Sequence, residues 1–581
     1  MRGPFRHWLL LLALLALFAA FMLWPIAQIV RVGFQGIPTD GHYGAFTLAY
    51  IAAVFKDPQL RRGLINSAAI AIAVTALCTL LSLPLALLTR RYDFRGKSLV
   101  NGLLLVPLVL PPFVGAIGMR QILGRFGALT ALIEHMGLIA PNAPVDWLGA
   151  APLPGIILVE ALALYPILYL NLTAALANLD PAMEQAAANL GASRWRILRT
   201  ITLPLVRPGL FAGGTIVLIW SFTDLGTPLM FNYTDVTPVQ IWHQINQVSG
   251  NPIPYALVVV MLLASATLYV IGRLLLGRGH EVAVTKAATT AVVAEPLGLL
   301  RSIPILLPFV LVISLALLPH VGVILTSISG VGAWYRSVLP QTLTARHYVN
   351  ALTYDVTLAS MRNSVMFASL SVLLDIALGL AVAYLIVRSH LPGRRMIDAL
   401  AMLPLAVPGL VLAFGYLAIS LQLQAWFKNA HWLREMVDVT ENPTLLLVIA
   451  YAMRRLPYVV RSAVAGLQQT PVDLELAARN LGASSAATLR RITVPLISAN
   501  LIAGALLAFA FAMLEVSDSL ILAQKETYWP ITRAIYELFQ RLGDGPYIAS
   551  ALGVWAMVLL ALTILSANSL LGRRLGAAFR V

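Results

Sequence analysis

The sequence predicts an all-α protein that crosses a membrane about twelve times, as two parallel-oriented halves of six spans each, and three observations lead there. Of 581 residues 59% are apolar and only 11% charged, whereas soluble domains are about 45–50% apolar and 25% charged. Apolar stretches long enough to cross a hydrocarbon layer of roughly 30 Å recur from one end of the chain to the other. The second half also repeats the first. A water-soluble enzyme is therefore excluded. The spans are helices because lipid offers no partner to an open backbone group.

Windows of about 20 apolar residues place spans near 8–30, 64–89, 99–123, 153–176, 205–226, 254–276, 302–325, 363–387, 397–421, 443–460, 496–523 and 547–571. The first follows Arg2 and Arg6, but its apolar stretch is too long for the 7–15-residue core of a signal peptide, so it reads as a retained helix. The Ala/Thr-rich stretch 277–301 reads as a linker. The domain organisation is then a leading helix and outer loop (1–63), a first transmembrane domain (64–276), the cytoplasmic linker (277–301), a second leading helix and loop (302–360), a second domain (361–571) and a cytoplasmic tail (572–581).

Net charge is +15. With the N-terminus inside, 24 of the 40 Lys and Arg residues fall in cytoplasmic segments, 14 fall outside, and Arg454 and Arg455 fall within a span. Basic residues concentrate on the cytoplasmic side of membrane proteins, so both termini are placed in the cytoplasm and the excess charge records orientation. Aromatics interleaved with basic residues on a soluble surface are absent, so no nucleic-acid partner is expected. The single cysteine, Cys78, excludes an internal disulfide and a cysteine-built metal cluster.

The repeat is direct. Asn66-Ser67 through Pro107 and Pro111 match Asn363-Ser364 through Pro404 and Pro408 at an offset of 297, and residues 184–205 match 475–496 at an offset of 291. An even number of spans per half relates the halves by an axis along the membrane normal. Within the second match, Asp180-Pro181 and Thr470-Pro471 read as a helix cap followed by proline in the first turn. A short Ala-rich helix then stops at Gly191 or Gly482, residues able to take the left-handed conformation of a helix end. Ser193 or Ser484 caps a second short helix, which runs to Pro204 or Pro495, where the next span starts. The product is a cytoplasmic helix-turn-helix, with small alanines that allow close approach of another protein and one glutamate as a polar anchor.

The two segments resemble the EAA loop of binding-protein-dependent ABC importer permeases: Glu184-Gln185-Ala186 with Ala187, Gly191 and Pro204, and Glu475-Leu476-Ala477 with Ala478, Gly482 and Pro495. Both copies depart from Glu-Ala-Ala at the second position, and the further proline of the first copy, Pro208, is Ala499 in the second. The resemblance spans about 64–276 and 361–571 and looks closest to fused permeases of the ferric-iron type, whose relatives move thiamine or 2-aminoethylphosphonate. It implies a bacterial inner-membrane permease whose two loops engage a homodimeric cytoplasmic ATPase, so ATP is used by the partner and the chain itself holds no cofactor. A periplasmic binding protein would deliver the solute, and ferric iron is the first candidate cargo. An ion-coupled secondary transporter is the rival of another class, with no reason to carry matched loops.

Ionisable groups in apolar spans default to functional hypotheses. Asp224 and Glu515 are equivalents at the 291 offset, and Asp518 lies one helical turn beyond Glu515. These three are pathway candidates, and helix packing or pairing with Arg454 or Arg455 is the alternative. Asp375 and Glu160 have no equivalent carboxylate, which favours structural pairing. Pro107, Pro111, Pro112, Pro404 and Pro408 interrupt equivalent spans, where they either shape a cavity or kink a packed helix. No catalytic constellation is present and the nine histidines lack metal-site spacing. Gly96-Lys97-Ser98 ends like a nucleotide-binding loop, but the earlier glycine falls on Arg91.

Overall fold

The structure, a computed structural model, describes residues 3–38, 42–140, 145–148, 152–276 and 294–571. Most of the expected linker and the tail 572–581 lie outside the described residues, along with Arg2, Arg278, Lys286, Arg573, Arg574 and Arg580. The first half consists of α1 (His7–Gln35), α2 (Pro58–Arg91), α3 (Pro112–Leu123), α4 (Leu153–Ala177), α5 (Pro181–Asn189), α6 (Arg194–Phe222) and α7 (Ile253–Leu276). The second consists of α8 (Leu299–Ile328), α9 (Asp355–Arg388), α10 (Gly409–Trp426), α11 (Thr444–Gln469), α12 (Val472–Asn480), α13 (Ser485–Met513) and α14 (Gly545–Leu571).

Ten helices among the described residues are long and apolar enough to cross a membrane, and an eleventh crossing is the broken pair Lys97–Val109 and Pro112–His135, bent by 97°. The expected twelfth, 443–460, lies in α11, whose 26 residues reach about 39 Å at 1.5 Å per residue. Arg454, Arg455 and Arg461 take it out of the apolar class. It tolerates Arg454 and Arg455 because it packs between α9 and α13, and those two side chains pair within the protein.

The core of each half is the same stack: α2 on α4 and α4 on α6 in the first, α9 on α11 and α11 on α13 in the second. The leading helices join the halves. Helix α8 packs on α3 of the other half and α14 of its own, and α1 packs on α10 of the other half and α7 of its own. At the two crossings the equivalent glycines Gly118 and Gly415 let backbones touch. A Cβ on Gly118 would lie 2.5 Å from the Pro319 carbonyl oxygen, and one on Gly415 would lie 2.8 Å from the Pro25 Cβ. The repeat thus extends beyond the stretches matched in sequence to the leading helices, and to the short helices Ala49–Lys56 and Arg346–Thr353 after them. Where the expected linker re-enters the described residues, Glu295–Pro296 pairs in parallel with Tyr92–Asp93.

Candidate functional site

The two loops fold alike, at one end of the chain's helical stacks. Asp180 caps α5 by accepting from the Ala182 amide at 2.9 Å, with Pro181 in the first turn. In the second copy the expected Thr470 cap is not made. Its hydroxyl donates to the Gly466 carbonyl one turn back in α11, and Pro471 itself precedes α12. Both short helices end in the six-to-one and five-to-two hydrogen-bond pattern of a glycine-terminated helix: Ala192 N to Ala187 O and Gly191 N to Ala188 O, then Ala483 N to Ala478 O and Gly482 N to Arg479 O. Gly191 and Gly482 sit at φ +80° and +89°. Ser193 and Ser484 accept from the Arg196 and Ala487 amides. From there the chain departs from the expected break at proline: α6 and α13 are continuous 29-residue helices. Each carries one π-helical turn, Leu198–Thr202 and Leu489–Thr493, just ahead of Pro204 and Pro495. The wider turn accommodates the proline without stopping the helix.

Each loop holds an apolar side chain far out. Leu190 and Leu481, the equivalent residues ahead of the turn glycines, are 89% and 90% exposed. The motif glutamates instead turn inward. Glu475 is 1% exposed and takes the Arg388 guanidinium at 3.0 Å, with Arg479 at 3.5 Å. Glu184 takes Arg90 at 3.1 Å and the Thr202 hydroxyl at 2.5 Å. Arg90 and Arg388 close the last turns of α2 and α9, so each glutamate ties its loop to the longest helix of its half. Sequence reasoning missed both arginines as partners, because they lie 94 and 87 residues from the glutamates. Their place at a helix end beside a basic run was the available signal.

A cavity of about 180 Å³ lies between the halves. Its lining is largely made of equivalent pairs: Pro107 with Pro404, Pro111 with Pro408, and Asp224 with Glu515. The prolines therefore shape the cavity. Trp220 and Phe511, also equivalents, meet with ring centroids 6.5 Å apart, which places the axis relating the halves at this contact. Of the pathway candidates, Asp224 and Glu515 line the cavity, while Asp518 is buried behind it, 3.6 Å from Arg454. Glu515 binds Arg454 at 2.5 Å through one oxygen and Arg455 through the other. Glu160, expected to be structurally paired, lines the cavity beside Asp224. Ser221 donates to one of its oxygens, and the Glu160 and Asp224 carboxyls hydrogen-bond each other. Asp375 is fully buried with neither oxygen hydrogen-bonded, and Arg455 is the charge nearest to it in effect. No group of three or more metal-ligating side chains is present among the described residues.

At the far end from the loops, Trp242 and Tyr536 meet edge-on at 6.3 Å with the Arg533 guanidinium over both rings. The repeated Asn-Ser pairs hold these segments. Asn66 donates to the Asp235 carbonyl at 2.9 Å and Ser67 accepts from the Thr237 amide, just as Asn363 donates to the Trp529 carbonyl at 3.2 Å and Ser364 accepts from Ile531. The match seen in sequence at 66–67 and 363–364 is thus a pair of clamps on the far-end helices.

The chain is 28% identical to the ferric transport system permease protein FbpB of Actinobacillus pleuropneumoniae over 97% of its own length and 78% of that protein's. The molybdenum transport system permease protein ModB of Haemophilus influenzae is 36% identical over 29% of this chain and 71% of its own. Among solved structures, a bacterial ABC transporter involved in import of the acidic polysaccharide alginate aligns at 18% identity and TM-score 0.37, over 47% of this chain and 96% of that one. The family model for the inner membrane component of binding-protein-dependent transport systems matches twice, at residues 78–279 and 375–575. With the same loop, stack and clamp built once in each matched segment, the chain belongs to this family of ABC importer permeases as a fusion of two permease domains.

Proposed function

We propose that the two loops dock on a separate cytoplasmic ATPase, a homodimer offering one cleft to each loop, and that a periplasmic binding protein delivers solute to the opposite face. The observation that supports this best is the pair of equivalent leucines, Leu190 and Leu481, each held out by a left-handed glycine turn. Fixed turns on matched helices let a partner's movement displace each half as a packed unit, and the contact of Trp242 with Tyr536 is where such a displacement would open the far end. Both termini then lie on the ATPase side, in a bacterial inner membrane. Ferric iron, the cargo named for the FbpB relative, is the first candidate, with thiamine and 2-aminoethylphosphonate as the alternatives. In proteoliposomes, uptake should require the cognate ATPase and ATP on the loop side. Uptake by the purified chain driven by an ion gradient alone would refute this reading and favour a secondary transporter.

A further inference from the structure

The cavity repeats its prolines in both halves but not its charges. In the second half, Arg454 and Arg455 neutralise Glu515, and Arg454 also faces Asp518. At the 291 offset the first half has Ala163 and Leu164 in place of the arginines and Asp224 in place of Glu515. Its two acidic groups, Asp224 and Glu160, have no ion pair among the described residues. Ser221 donates to one oxygen of Glu160 and the Thr227 amide to Asp224 at 3.0 Å. Glu160 is buried on the cavity wall, 1% of the residue being exposed, and its carboxyl hydrogen-bonds that of Asp224, so the two share a proton and keep one negative charge with no basic side chain paired to it. Ala163 lies on the same wall. A negative charge left without a counter-ion at low dielectric is costly, and a cation beside it removes that cost.

We propose that this half of the cavity binds the cationic group of the transported solute, an organic ammonium or guanidinium whose N–H donors face Glu160 and Asp224. The bound group takes the place beside Asp224 that the Arg454 guanidinium takes beside Glu515. Trp220 on the cavity wall offers such a cation an aromatic face. Two carboxyl groups with no third ligating side chain among the described residues suit N–H donors, whereas a bare trivalent metal needs more oxygen or nitrogen ligands, so this site favours an aminated cargo over the ferric iron to which the FbpB relative points. In the second half the guanidinium fits because residue 409 is glycine, where a Cβ would overlap it. The first half has Pro112 there, whose ring narrows that space, and Ala163 in place of the arginine, so the group that fits is smaller than an arginine side chain.

The inference rests on the permease reading for its meaning, but its test needs no ATPase. Methylguanidinium is titrated by calorimetry into the purified full chain in nanodiscs. Saturable binding is expected, weakened about tenfold or more in Glu160→Gln/Asp224→Asn, as for loss of charge-assisted hydrogen bonds. In a second arm, Ala163→Arg/Pro112→Gly recreates the arginine–glycine pair of the second half. This variant should stay folded, lose methylguanidinium binding, and melt higher than the same variant carrying Asp224→Asn. Undiminished binding in either variant, no saturable binding by the wild-type chain, or displacement of methylguanidinium by ferric ion would overturn the proposal. ATP-driven uptake that persists in any of those cases leaves the permease reading standing.

Discussion

Glu475 and Glu184 occupy the same motif position but different surroundings, which makes their removal a quantitative comparison. The Glu475 side chain is 1% exposed, its Arg388 partner 8%, and Arg388 also donates to the Thr470 carbonyl at 2.9 Å. Glu475→Ala leaves a buried guanidinium with one neutral acceptor, a change that costs about 3–5 kcal/mol. Glu184 is 28% exposed and Arg90 11%. Water reaches that pair, so Glu184→Ala should cost only about 1–2 kcal/mol. Unfolding of the purified chain, followed by tryptophan fluorescence, measures both. A cycle through Arg388→Met, Glu475→Leu and the double variant should show coupling of about 2 kcal/mol, the double losing less than the sum of the singles. Equal losses at 184 and 475, or additive losses in the cycle, would refute the inward tie. The glutamates would then have to be explained by contact with a partner.

Gly191→Ala/Gly482→Ala should fold and insert normally, since nothing lies within 4 Å of either position, yet each left-handed turn loses about 1–2 kcal/mol. Pull-down with the ATPase should weaken, and wild-type association would count against the docking role. Leu190→Ser/Leu481→Ser should lower the same association with no change in melting temperature, the side chains being almost fully exposed. At the helix crossings, Gly118→Leu and Gly415→Leu force backbones apart, and overpacking of this kind costs about 1–3 kcal/mol or more. A loss of the monodisperse peak in size-exclusion chromatography is expected, and a wild-type profile would contradict the close approach. Asp375→Asn should leave stability within about 1 kcal/mol of wild type, because neither carboxylate oxygen holds a hydrogen bond that the amide would lose.

The sequence carried the architecture because spans and repeats are local or periodic. Apolar runs located eleven of the crossings, while α11 was found in spite of its arginines, whose partners Glu515 and Asp518 lie 60 or more residues away. The turn chemistry of Gly191, Gly482, Ser193 and Ser484 was legible for the same reason: each makes its hydrogen bonds within a few residues. What escaped was long-range or compensated. The π turns before Pro204 and Pro495 absorb a residue that in isolation reads as a stop. Glu160 read as structural because no equivalent carboxylate exists, its counterpart at the offset being Tyr451, which hydrogen-bonds Ser519; the structure instead sets Glu160 on the cavity wall.

Divergence between the halves follows a physical rule. The loops and the Asn-Ser clamps each satisfy backbone groups of their own half, and each glycine crossing is made once by each half on the other, so the same solution serves twice and the copies stay alike. The cavity lies on the axis between the halves, at the contact of Trp220 with Phe511, and both copies contribute to one enclosed volume. A solute without twofold symmetry can be held there in a single orientation only if the two walls differ. The walls share their paired prolines and differ in charge and in what fills the space between: Arg454 and Arg455 oppose Ala163 and Leu164. Two copies of one subunit could not make that distinction. Fusion into one chain allows arginines on one side and an unfilled acidic site on the other.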